Sequence, residues 1–274
     1  MPITPGAAPQ ATSRRRTERM SLILSYVNER GTARLTEIAD DLGVSTATMR
    51  RDLAEMDEQG LLIRSHGGAR ALDPTTEVPV QLRDSRFRDA KLRIAEHAAR
   101  LLPEGQYSVA ISGGTTATAV ARALASRDDL SVATNALTTA VELATRSRLN
   151  VIMTGGFIRS SSLEAVGVLA EKTFGAINVG TAFLGTDGIS VRGGATTHNE
   201  TEARTNHAMV TQADRVVVVA DGSKIGRATL AKVADLSEID ILVTDSSADP
   251  AELAAIAAAG VDVQIAADDE TPRG

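Results

Sequence analysis

The sequence predicts an α/β protein in two parts: a small N-terminal unit of three helices and a β-hairpin, then a larger domain with a Rossmann-like core. Three observations carry this expectation. Two apolar helical stripes flank a glycine turn within residues 35–56, a hairpin signal follows directly, and beyond residue 105 apolar strand-like runs alternate with helical segments. The last pattern indicates a parallel sheet covered on both faces.

In the N-terminal part, Met20, Ile23, Leu24 and Val27 mark one face of a first helix, and Leu35, Ile38, Ala39 and Leu42 one face of a second. Gly43 ends the second helix, because glycine tolerates positive φ. Ser45 stands where a third helix needs an N-cap oxygen. Met49, Leu53 and Met56 form that helix's buried stripe, so three helices close one small core. After Gly60, Leu61 to Arg64 reads as a strand, and Gly67-Gly68 supplies turn chemistry.

The opposite face of the third helix carries Ala47, Thr48, Arg50, Arg51 and Ala54, with Ser45 and Thr46 at its start. Small residues let a helix approach base edges in a major groove, and a guanidinium can contact guanine or phosphate in a bidentate manner. An ordinary helical hairpin with two surface arginines is the plainer reading. It leaves the preceding helix, the capped turn and the hairpin unexplained together. Arg64 and His66 are two apart, so a strand would place both on one face, suited to backbone or minor-groove contact. This unit is therefore expected to bind double-stranded DNA.

Composition bounds the rest. The chain has 274 residues and no cysteine, which removes disulfides and thiolate metal sites. No apolar run approaches the ~20 residues of a membrane helix, and the start lacks the apolar core of a secretory leader. A cytoplasmic protein without membrane contact is expected. Residues 1–14 read as a flexible arm, and at its end Arg14, with Arg15 and Arg16 just beyond, can touch phosphates or stay solvated. Residues 15–70 form the DNA-binding unit, 71–88 a linker with two prolines, 89–266 the α/β domain and 267–274 a tail. The net charge is −6, yet residues 1–70 hold ten arginines against nine acidic residues. That balance of +1 leaves −7 on the remainder. So weak a basic excess implies modest DNA affinity for one copy, and a homo-oligomer on paired half-sites would compensate.

From Asp89 an amphipathic helix runs to about Leu102, stopped by Pro103-Glu104-Gly105. Strands are expected at Tyr107–Ser112, Leu130–Ala133, Val151–Thr154, Thr181–Leu184, Arg215–Ala220 and Ile239–Val243, with helices at Thr115–Ser126 and Leu137–Arg146. Open α/β sheets bind ligands at the carboxyl ends of their strands. There the chain places Gly113, Gly114, Thr115 and Thr116, then Thr134-Asn135, Gly155-Gly156, Asp187 and Lys224. Glycines and hydroxyls at a helix N-terminus suit a phosphate, although a simple βα turn also needs glycine.

The segment VSTATMRRDLAEMDEQGLLIRSHGGA (44–69) resembles the winged helix-turn-helix signature of DeoR-type bacterial transcription regulators, and the resemblance continues to about residue 265. It implies an effector domain similar in fold to ribose-5-phosphate isomerases, sensing a phosphorylated sugar or related metabolite. By that resemblance Gly114, Thr115 and Thr116 hold the phosphate. Thr134, Asn135, Gly155 and Gly156 shape the pocket, and Asp187 and Lys224 contact the sugar portion. The chain departs from the family in having Ser112-Gly113 where Asp-Ser is usual, and Gly222-Ser223 where two serines usually follow Asp221.

The reading is thus a DNA-binding regulator, a repressor of carbohydrate-metabolism genes released by its effector. Two alternatives stay open at this point. One is an isomerase-like enzyme using Asp187, Glu202 and Lys224; the other is a constitutive DNA-binding protein whose second domain only assembles. No dinucleotide, Walker A or HExxH motif occurs, so neither cofactor nor metal is expected.

Overall fold

The computed structural model describes residues 9–72, 77–84, 87–146 and 148–267. The chain divides between residues 86 and 87 into two compact units. No helix among the described residues is long and apolar enough to cross a membrane.

The first unit runs α1 (Pro9–Arg30), β1 (Thr32–Arg34), α2 (Leu35–Asp41), α3 (Thr46–Glu58), β2 (Ile63–Ser65), β3 (Gly68–Arg70) and α4 (Val80–Arg83). Its core gathers Ile23, Val27, Ile38, Met49, Leu53 and Met56, the apolar stripes of all three long helices. Gly43 sits at φ 62°, and Ser45 Oγ caps α3 by accepting from Thr48 N at 3.1 Å. A polar contact also enters this core. Asp52, 2% exposed, accepts from Arg19 Nε at 2.6 Å and from Arg19 Nη2 at 3.2 Å, tying α1 to α3. The paired aspartate holds the Arg19 guanidinium's pKa above its ordinary value.

The wing has three strands in the order β1-β3-β2, all antiparallel. Strand β1 has no signal in the sequence, because three residues are too few to show alternation. The hairpin's turn residues are His66 and Gly67, with Gly67 at φ 83°, rather than Gly67-Gly68. His66 therefore lies in the turn, outside the strand that carries Arg64. Gly68 serves packing instead: a Cβ there would lie 2.1 Å from Ala33 O on β1.

The expected arm over 1–14 lies outside the described residues as far as residue 8, while residues 9–14 belong to α1. Likewise the tail from residue 268 lies outside them. The expected linker is not extended throughout. Val80 and Leu82 are buried, and Ser21 Oγ of α1 donates to Leu82 O at 2.6 Å, so this segment packs on the first unit.

The second unit continues with α5 (Arg88–Ala99), β4 (Tyr107–Ile111), α6 (Thr115–Leu124), β5 (Leu130–Thr134), α7 (Leu137–Arg146), β6 (Asn150–Met153), β7 (Phe157–Arg159) and β8 (Glu164–Val166). Then come α8 (Val168–Phe174), β9 (Thr181–Gly185), β10 (Gly188–Ser190), β11 (Gly194–Thr197), α9 (Glu200–Val210) and β12 (Val216–Val219). It ends with β13 (Ala231–Ala234), β14 (Ile241–Asp245), α10 (Pro250–Ala258) and β15 (Asp262–Ala266). Seven strands make one sheet in the order β15-β14-β12-β9-β4-β5-β6, and every pair is parallel.

Both faces are covered. Val109, Ile111, Val217 and Val219 point to the core shared with α5 and α6, whereas Ala110, Val216 and Val218 point to the core that takes Phe174, Met209 and Ile256. This alternation within continuous apolar strands is why they read as buried rather than amphipathic. Chain order reverses between β4 and β9: β5 and β6 follow on one side of β4, and β9, β12, β14 and β15 extend on the other. Crevices for ligands form at such reversals.

Asp52→Ala leaves the Arg19 charge without its partner inside the first unit. We expect the full-length protein to lose about 2 kcal/mol from that unit's stability, read as a lower urea midpoint in the transition that reports it.

Candidate functional site

On the first unit the expected recognition face is open. Ser45, Thr46, Ala47, Arg50, Arg51, Arg64 and His66 are exposed and Thr48 is half-buried. Two of these also serve the fold, since Ser45 Oγ and Thr48 Oγ1 lie 2.9 Å apart within the cap. The side chains of Arg14 and Arg15 lie outside the described residues. Arg16 pairs with Glu55 of α3, so its charge is directed to the fold rather than to a free tail. The Arg19–Asp52 pair, with Arg19 half-buried and Asp52 buried, holds α3 with Asp52 inward and its neighbours Arg50 and Arg51 outward.

On the second unit the reversal point is closed tightly. Ser112 Oγ accepts from Gly185 N at 2.9 Å, joining the ends of β4 and β9. A Cβ at Gly185 would lie 2.5 Å from Gly113 O, so the two loops approach backbone to backbone. Gly114, at φ 98°, turns the chain into α6. The first N–H groups of α6, at Thr115 and Thr116, have no intrahelical partners and follow directly on this loop.

The other expected residues divide by role. Asp187 and Lys224 are brought together, with Oδ1 and Nζ 3.7 Å apart, because β9 and β12 are neighbours. Thr134 is fully buried and its hydroxyl is committed within the fold, donating to Ile111 O at 2.6 Å and accepting from Ala136 N at 3.0 Å. It secures the turn after β5. Gly156, at φ 135°, lets the chain pass β8; a Cβ would lie 2.7 Å from Val166 O. Gly155 is exposed beside Leu169.

Asn135 leads to residues the sequence did not single out. Its Nδ2 donates to Glu164 Oε2 at 3.0 Å and to Asn206 Oδ1 at 3.0 Å, and Asn206 Nδ2 donates to the same Glu164 oxygen at 3.1 Å. Asn135 Oδ1 is buried and has no partner among the described residues. Beside this triad, Glu202 pairs with Arg159 at 3.1 Å and accepts from Thr197 Oγ1, which also reaches Asp187 Oδ2 at 3.2 Å. His198 lies 4.0 Å from Asp187. Glu164, Asn206 and Arg159 come from the β7–β8 hairpin and α9, not from the carboxyl ends of the seven parallel strands, so a search of those ends passes over them.

Burial is the main cause that pushes the Glu164 pKa up to about 8, with Glu202 adding repulsion. Burial thus favours the neutral carboxyl of Glu164, while Glu202 and Asp187 have Arg159 and Lys224 as counter-ions. Asp187, Glu202 and Lys224 are consequently occupied in ion pairs rather than set around one reacting atom.

Residues 19–75 match the model of the DeoR-like helix-turn-helix domain, and residues 86–246 match that of the DeoR C terminal sensor domain. The chain belongs to the DeoR family. The putative aga operon transcriptional repressor of Escherichia coli O157:H7 is 33% identical over 90% of this chain and 93% of its own. The glycerol-3-phosphate regulon repressor of Escherichia coli K12 is 31% identical over 85% and 92%. Ribose 5-phosphate isomerase A of Methanocaldococcus jannaschii aligns with 50% of this chain and 54% of its own, at 17% identity and a TM-score of 0.38. The matched models and the named relatives describe regulators, so this family member is a DNA-binding regulator and not an enzyme.

Between pH 4.5, the ordinary glutamate value, and about 8, the folded protein holds a proton on Glu164 that the unfolded chain has released. Stability therefore falls as pH rises through that window. The groups facing Glu164 are Glu202 and Asp187 with their partners Arg159, Lys224 and His198. Glu164→Gln should flatten this part of the melting-temperature profile between about pH 5 and about pH 8.5. A profile as steep as the wild type's would assign the slope to another group.

Proposed function

We propose that this protein is a cytoplasmic repressor of carbohydrate-metabolism genes that leaves its operator when a phosphorylated sugar or related metabolite fills the crevice between β4 and β9. The observation that carries the effector half is the convergence of Gly113, Gly114 and the start of α6 with the Asp187–Lys224 pair at the sheet's reversal point. Glycines admit a phosphate close to backbone N–H groups, and Lys224 adds a cation at the rim. A relative named as a glycerol-3-phosphate regulon repressor supports a phosphoester as the effector class.

In the DNA half, α3 enters the major groove with Arg50, Arg51 and Thr48 toward base edges, while Arg64 and His66 steady the wing on the backbone. Because the first 70 residues carry only a +1 balance, we infer a homo-oligomer that places two or more units on paired half-sites. The effector shifts the equilibrium only if it binds the DNA-competent and released arrangements with different affinity. A tenfold difference corresponds to about 1.4 kcal/mol.

Two experiments test this. At fixed salt, Arg50→Ala should weaken binding to the specific operator by about tenfold or more, whereas Arg192→Ala, exposed on the other unit, should leave it unchanged; equal losses would remove α3 as the reading helix. Titrating the wild-type operator complex with phosphorylated sugars and their unphosphorylated parents should release DNA with one phosphoester only. Tight binding indifferent to every compound would remove the sensing role.

A further inference from the structure

Gly113 has an occupant where its side chain would be. A Cβ built there would lie 2.1 Å from Glu164 Oε1, 2.3 Å from Cδ and 2.5 Å from Cγ. The carboxyl of a residue 51 positions later fills the space that a side chain at the head of the first loop would otherwise take. Glu164 is held there firmly. Ala165 N donates to Asn135 O at 2.7 Å, and Leu163, just before it, sits at φ 56°. A branched residue in the left-handed region persists only where its surroundings impose it.

The two carboxyl oxygens differ. Both amides, from Asn135 and Asn206, donate to Oε2. Oε1, the oxygen against Gly113, receives neither amide, and Glu164 as a whole is only 3% exposed. The neighbouring carboxylates are already engaged, Glu202 by Arg159 and Thr197, and Asp187 by Lys224 and Thr197. Glu164 is the acid left facing the loop.

We propose that Glu164 is the specificity-determining residue of the crevice, its Oε1 hydrogen-bonding a hydroxyl of a phosphorylated sugar or polyol whose phosphate sits on the Gly113–Thr116 loop. The assignment rests on the phosphate-sensing reading above. A neutral carboxyl there donates its proton to a ligand oxygen without repelling the adjacent phosphate. Gln at 164 reproduces that donor, with its oxygen toward the two asparagines and its NH2 toward Gly113. Ser at 113 displaces the carboxyl from the loop.

The test uses the full-length protein at pH 7, with calorimetry and thermal shift against inorganic phosphate, glycerol 3-phosphate, ribose 5-phosphate and fructose 6-phosphate. The phosphoester that wild type binds best should bind Glu164→Ala and Gly113→Ser about tenfold or more weakly, and Glu164→Gln within about threefold. Inorganic phosphate should change by less than about threefold in all of them. Should Glu164→Ala fail to fold, Glu164→Met keeps the volume without the hydrogen bond and carries the same comparison. Wild-type binding of a phosphoester with unchanged affinity and ranking in Glu164→Ala or Glu164→Met would overturn the assignment alone. Failure of wild type to bind any of these compounds would overturn the phosphate-sensing reading and this assignment with it.

Discussion

Ser112 sits at the end of β4 with its hydroxyl accepting from Gly185 N at the end of β9. That bond closes the place where chain order reverses, and the geometry of the crevice follows from it. With the two strand ends locked, a Cβ at Gly185 would meet Gly113 O, while the space beside Gly113 is taken by the Glu164 carboxyl. The start of α6 follows directly on this loop, and Asp187, after β9, meets Lys224, which follows the neighbouring β12. A hydroxyl at 112 suits this lock, since a buried N–H needs an acceptor and gains little from a charge it would have to desolvate.

Charge balance at the crevice has a similar economy. Three carboxyls, Glu164, Glu202 and Asp187, converge there with two cations, Arg159 and Lys224. A third buried negative charge would be costly, and burial together with the repulsion from Glu202 accordingly raises the Glu164 pKa. An anionic ligand there meets a cation at the rim. In the first unit the same logic runs differently: Arg19 and Asp52 neutralise each other between α1 and α3, which leaves Arg50 and Arg51 as uncommitted charges on the outer face of the helix.

The helix-turn-helix was legible because each of its elements is local. A stripe at helical spacing, a glycine at φ 62° and a serine cap are all decided within a few residues. The central strands were legible because burial on both faces leaves continuous apolar runs such as Val216–Val219. What escaped depends on distant pairing. Strand β1 exists because Gly68 admits it, His66 falls in a turn because register places it there, and Val80 and Leu82 leave the linker to pack on α1. Glu164 escaped for the same reason: nothing near it in sequence tells that Gly113 makes room for it. Thr134, expected at the ligand, has its hydroxyl committed to the backbone, donating to Ile111 O of the neighbouring β4 and accepting from Ala136 N in the turn after β5.

Where an effector's phosphate sits is decisive. The most direct measurement is a crystal structure of the protein with the phosphoester that releases it from operator DNA. The phosphate is expected on the N–H groups of Gly114, Thr115 and Thr116, with a ligand hydroxyl at Glu164 Oε1. A phosphate bound elsewhere, for example in the groove against α9 and β13 where Arg204, His207 and Lys232 gather, with the β4–β9 crevice untouched, would contradict it.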